Sequence, residues 1–215
     1  MKIMGLDVSS NCTGWGLIES NPIQKTLSLI GYGLIRGDSI MGTTQRLYFQ
    51  GNELKKIIEK HVPDEIGIEE TILVRGPKIM RTLARFSGVA IFQAYSFQKK
   101  EISVFPPSLW KKTLGIGGDA TKAEVQLDIC SRFNLLTQKQ IDEYKQIFEK
   151  IQQDVSDFKI VAKQQGLKIK ERNKKIKEIE KAYTKASIDI YSDCGISNDI
   201  ADAISVSIAT HIQKS

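Results

Sequence analysis

The chain has 215 residues, room for one domain of ordinary size plus a modest insertion, and its 41% hydrophobic and 26% charged residues exclude a disordered or fibrous protein. Thirty-one Lys and Arg against 25 Asp and Glu leave a net charge of +6, which favours a polyanionic partner. Three cysteines far apart in the chain (Cys12, Cys130 and Cys194) and the absence of any signal-like or membrane-spanning apolar run predict neither a disulfide framework nor a zinc site, in a cytoplasmic protein that meets no membrane.

Residues 2–8, KIMGLDV, read as a buried strand that ends at Asp7 and runs into a Ser-Ser-Asn loop. Thr13–Glu19 and Leu27–Ile35 follow as two more strands, an antiparallel meander with Ser20, Asn21 and Pro22 as turn residues. Leu47, Leu54, Ile57 and Ile58 recur at helical spacing over 44–61, with Pro63 as a stop. A strand over Glu65–Leu73 carries adjacent acids, Glu69 and Glu70, of which one must face inward or toward a site. A long helix through Met80, Phe86 and Ala94, a short strand at Glu101–Phe105, and a basic glycine-bearing loop with Lys111, Lys112 and Gly115–Gly118 come next. Asp119 or Thr121 then caps a helix over 123–136, and a last helix runs over 197–212.

Between those two helices the apolar residues Ile141, Tyr144, Phe148, Ile151, Val155, Phe158 and Ala162 are spaced alternately three and four apart. Gly166 ends that seam, and Ile169, Ile176, Ile179, Tyr183 and Ala186 form a second. The expectation is an antiparallel helical hairpin at 138–187, inserted into a domain made of 1–137 and 188–215. Thirteen basic against eight acidic residues over 139–185 put +5 of the net charge in this arm, as a solvated stiffener or as a contact for DNA.

Four acids stand out: Asp7 at a strand end, Glu69 or Glu70 within a strand, and Asp199 with Asp202 at the start of the last helix. Singly, each has a bland reading as a turn former or a partner of a helix dipole. As i,i+3 neighbours, however, Asp199 and Asp202 share one helix face. Carboxylates suit magnesium, and a cluster of four can hold two ions for phosphodiester hydrolysis. No phosphate-binding glycine loop is present, and His61 and His211 have no ligand-like spacing. Lys122 is placed either to meet a phosphate or simply to sit exposed in a first helical turn.

Four segments in order, GLDVSSNCTGWGLI, IGIEETILVRGPKIMRTLARFSGVAI, WKKTLGIGGDATKAEVQ and NDIADAISVSIATH, together resemble the RuvC-type Holliday-junction resolvases of the RNase H-like superfamily. The resemblance implies an α/β fold with a mixed five-stranded sheet flanked by helices, a homodimer, and branched DNA, chiefly four-way junctions, as substrate. It implies two Mg2+ ions per site, replaceable by Mn2+, on Asp7, Glu69, Asp199 and Asp202, and it selects Glu69 over Glu70. Lys122 becomes a catalytic or phosphate-contacting lysine, and Lys111, Lys112, Ile72, Arg75 and Lys78 become DNA contacts. Two departures stand out: Ile72 replaces the aromatic that the bacterial family inserts at the junction centre, and the arm at 138–187 is additional. The arm points toward a bacteriophage or viral relative, and Ile72 bears on junction distortion and cleavage-sequence preference. The competing readings are a nuclease of the same fold acting on RNA-DNA hybrid or structured RNA, and a non-catalytic DNA-binding scaffold.

Overall fold

The computed structural model describes residues 1–38, 40–70 and 76–214. Five strands, β1 (Lys2–Val8), β2 (Cys12–Asn21), β3 (Thr26–Arg36), β4 (Glu65–Glu69) and β5 (Ser103–Phe105), form one mixed sheet in the order β3-β2-β1-β4-β5. The first three make the expected antiparallel meander, and β4 and β5 add parallel to β1. That parallel pairing needs a helical crossover, which α1 (Thr43–His61) and α2 (Pro77–Gln98) supply.

Alternation along β1 and β4 sends Met4, Leu6, Ile66 and Ile68 to one face. There they pack with Leu17 and Ile35 against Leu54 and Ile58 of α1 and Ala90 and Ala94 of α2. Each of the Leu, Ile and Met side chains, when fully buried, is worth roughly 1.5–3 kcal/mol.

The other face is paved with glycine. Gly16, Gly5 and Gly67 lie side by side in register across β2, β1 and β4. A methyl group on Gly5 would strike the backbone of Ala203 and Ser207, one on Gly16 would strike Ile204, and one on Gly67 would strike Thr210. These are residues of α8 (Asn198–Lys214), which lies in the trough and is buried along its whole middle, from Ile200 to Thr210. The closest approach of helix to sheet is thus encoded by three missing side chains.

Two compact units divide the chain: Met1–Ala120 together with the segment from Asp199 onward, and Thr121–Asn198. The second unit is wholly helical, with α4 (Lys122–Arg132), α5 (Gln138–Gln164), α6 (Ile169–Ile179) and α7 (Lys181–Cys194). It is wider than the 138–187 arm expected from sequence and takes in α4. Thr121, not Asp119, caps α4: its hydroxyl accepts from the Glu124 amide while the Glu124 carboxylate accepts from the Thr121 amide. Ile141, Tyr144, Phe148, Ile151 and Ala162 are the buried seam of α5. The return limb departs from expectation, because it breaks at Glu180 into α6 and α7, and Ile169 is 70% exposed rather than part of a seam.

Two further departures are local. An eight-residue helix, α3 (Pro107–Leu114), stands where a basic loop was expected, with Pro106 and Pro107 preset for its first turn and Gly115, at φ +80°, ending it. Cys130 and Cys194, 64 residues apart, bring their sulfurs to 2.6 Å as free thiols. Their separation in the chain said nothing of this, since α4 and α7 pack together.

Candidate active site

Directly beyond the glycine trough comes a row with a different chemistry. Asp7 lies opposite Gly14 in the β1–β2 ladder, and Leu6 lies beside Ile68 in the parallel β1–β4 pair. Asp7 and Glu69 therefore leave the ends of adjacent strands on one face, with the strands about 4.8 Å apart. Gly14 has no side chain, and the space is taken by Asp199: a methyl there would meet the Asp199 carbonyl. The same glycine packing that seats α8 thus brings its first turn over the strand ends. Asp202 follows one turn later and is 6% exposed, whereas Asp7, Glu69 and Asp199 are half-buried. Glu70 is exposed, and its amide donates to the Phe105 carbonyl at 2.8 Å, continuing the β4–β5 ladder.

Cys12 senses the same cluster. Burial pushes its thiol above the ordinary range, and the Asp199 and Asp7 carboxylates push it the same way, against a hydrogen bond with Arg36. Glu69 has a further partner that the sequence reading missed. The indole Nε1 of Trp110, on α3, donates to Glu69 Oε2 at 3.1 Å. Glu69 is level with Phe105 on β5, and the chain turns from there through two prolines into α3, which returns Trp110 to it. The one signal in the sequence was the tryptophan itself, whose N–H must find an acceptor when buried.

The donors are all carboxylate oxygens, the chemistry of a hard divalent cation. Among the described residues no three His, Cys, Asp or Glu side chains form a ready-made cage. Magnesium does not require one, since it retains several waters and binds through one or two carboxylates plus substrate phosphate. The residues fit such an ion.

Of the basic residues, Lys112 on α3 and Lys78 in the first turn of α2 are exposed. Lys111 is half-buried: its Nζ donates to the Ala120 carbonyl at 2.7 Å and lies 5.5 Å from the Trp110 ring centroid. Lys122 is the exposed first residue of α4, in the helical unit. Ile72 and Arg75 lie outside the described residues. His61 packs on Trp15 with ring centroids 5.2 Å apart, and His211 Nε2 is 3.4 Å from Ser20 Oγ, so both histidines belong to the scaffold. No helix among the described residues is long and apolar enough to cross a membrane.

Residues 3–147 match the family model of the crossover junction endodeoxyribonuclease RuvC, a span that contains Asp7 and Glu69 and ends before α8. RuvC of Wolbachia pipientis wMel is 31% identical over 125 residues, covering 58% of this chain and 76% of that protein. RuvC of Rhodopseudomonas palustris BisB18 is 30% identical over 127 residues, covering 59% and 71%. Among solved structures, Thermus thermophilus RuvC in complex with a Holliday junction substrate superimposes with a TM-score of 0.63 at 13% identity, over 100% of this chain and 96% of that one. Thermus thermophilus RuvC alone gives 0.54 at 16% identity, over 62% and 81%. The strand-end carboxylates, the mixed sheet that presents them and these matches converge: the chain belongs to the RuvC family of crossover junction endodeoxyribonucleases.

Proposed function

We propose that this protein is a magnesium-dependent, structure-selective endodeoxyribonuclease that resolves four-way DNA junctions by paired strand cuts. The observation that carries the reading is the juxtaposition of Asp7 and Glu69 on adjacent strand ends with Asp199 docked over Gly14. Asp7, Glu69, Asp199 and Asp202 hold two magnesium ions in this scheme, with manganese as a substitute. Bound there, the ions supply Lewis-acid activation of the attacking water and stabilisation of the leaving oxygen. Lys112 and Lys78 neutralise phosphates, and Lys122 and the arm, with its +5, add phosphate contacts of their own. Ile72 is assigned to the junction centre, where an aliphatic wedge unstacks bases without stacking on them.

Paired cuts call for two sites, and each chain carries one set of acids. Support for a homodimer comes from the exposed stripe of α2, where small Ala84 and Gly88 adjoin Ile91, Phe92 and Tyr95, the last two 66% and 50% exposed. A surface of this kind can pack on its own copy about a two-fold axis. The arm also supports a phage source, with the protein working in the cytoplasm of a bacterial host.

The test is Mg2+-dependent cleavage of an immobile four-way junction beside a plain duplex, a fork and an RNA-DNA hybrid, with cuts mapped on every strand. Symmetric paired nicks near the crossover, lost in Asp7→Asn, are expected. Cutting of the hybrid alone would move the substrate to RNA, and full-rate cleavage by Asp7→Asn would remove the assigned site.

A further inference from the structure

We propose that Trp110 is a positioning residue for Glu69, holding one oxygen of its carboxylate so that the group faces a cation in a single orientation. The inference rests on the nuclease reading above, in which Glu69 is a metal ligand.

Trp110 is 1% exposed and its Nε1 lies 3.1 Å from Glu69 Oε2. A glutamate side chain has three rotatable bonds, and its terminal torsion is broad. A donor in a packed, rigid ring removes that freedom far better than a flexible side chain or water does. Indole N–H is a donor and never an acceptor, so the bond has one polarity and suits the ionised carboxylate.

The ring is itself held. Lys111, the next residue, ties α3 to the Ala120 carbonyl and lies over the indole face at 5.5 Å. Pro106 stands at the N-cap of α3 and Gly115 closes it, so the helix that carries Trp110 is short and bounded at both ends. Filling this part of the core would need only a large apolar ring, which phenylalanine supplies. The nitrogen edge turned toward Glu69 is what packing alone leaves unexplained. Partners of this kind, which hold a metal ligand without touching the metal, change metal affinity or activity by about 10–100-fold when removed.

The experiment uses the full chain and manganese as the probe. The chain has two tryptophans, so Trp15→Phe leaves Trp110 as its single indole reporter. Titration with Mn2+, a paramagnetic quencher, should quench that emission at the concentrations that support junction cleavage, and Glu69→Gln should abolish the quenching. Separately, Trp110→Phe should raise the Mn2+ concentration for half-saturation by about 10–100-fold and lower kcat to a similar degree, with KM for the junction unchanged. Trp110→His, which can again donate to the same oxygen, should recover part of the loss. A purely structural role would reduce the folded fraction and leave the Mn2+ half-saturation of the folded protein where it was. If Glu69→Gln cuts junctions at the parent rate, the nuclease reading of Glu69 fails. If Glu69→Gln is inactive while Trp110→Phe binds manganese and turns over like the parent, the positioning role alone fails. Absence of quenching in Trp15→Phe overturns it without recourse to any change at Trp110.

Discussion

A methyl group on Gly14 tests how α8 meets the sheet. Built on the backbone, the Cβ of Gly14→Ala lands against the carbonyl oxygen of Asp199, with the carbonyl carbon at 2.6 Å and the Asp199 Cβ at 3.3 Å. Carbon-to-oxygen contacts settle near 3.3–3.6 Å, so the first turn of α8 must retreat by about 1 Å. The obstacle is helix backbone, which cannot swing aside as the tip of a side chain would. Overpacking of this kind costs about 1–3 kcal/mol, while the stiffer unfolded chain returns about 0.4–1 kcal/mol, for a net loss of about 1–2 kcal/mol. Activity should fall further, since a misplacement of about 1 Å among catalytic groups costs about 100-fold. Urea denaturation measures the first quantity, and junction cleavage under conditions where the variant is folded measures the second. An unchanged urea midpoint and cleavage rate in Gly14→Ala would refute the close seating of α8 and with it the placement of Asp199.

Thr121→Ala removes the cap of α4 and should lower stability by about 1 kcal/mol, read as a drop in Tm. Cys194 is held below the ordinary thiol range by the hydrogen bond from Cys130 and, against burial, by the Ile196 amide. Because the thiolate is the nucleophile, Cys194 should alkylate at lower pH than an ordinary cysteine and ahead of Cys12 and Cys130, both of which are raised; peptide mass mapping after iodoacetamide at several pH values decides this. Replacing the exposed Lys168, Lys170 and Lys174 by Gln should flatten the slope of log K against log salt for junction binding by about 0.9 for each phosphate that is no longer neutralised. An unchanged slope would assign the arm to assembly instead.

Regular, local patterns were the legible part of this fold. The meander, α1, α8 and the α5 seam could be read because alternation and helical spacing depend on near neighbours in the chain. The α3 helix was missed because eight residues between prolines and glycines show barely two turns of periodicity, and its lysines group with the following glycines as one basic loop. Gly16 packs against Ile204, 188 residues away, a distance no local pattern spans. The meeting of Cys130 with Cys194 and that of Trp110 with Glu69 were hidden for the same reason. The carboxylates stood out singly, as polar residues at the ends of apolar runs. That Asp7 and Glu69 share a face depends on strand register, and register is a property of the assembled sheet.

The trough of glycines also bears on when this protein can act. A ribosome delivers Asp7 and Glu69 early, and at about 5–20 residues per second roughly ten seconds pass before Asp199 and Asp202 follow. Until then β1, β2 and β4 hold an open groove where α8 will lie, and half of the carboxylates do not yet exist. A chain caught mid-translation, or one broken off ahead of α8, would carry the sheet and its first two acids without the turn that completes them. Under the proposed assignment of the four carboxylates, nascent and truncated products that lack α8 would carry only half of the cutting site.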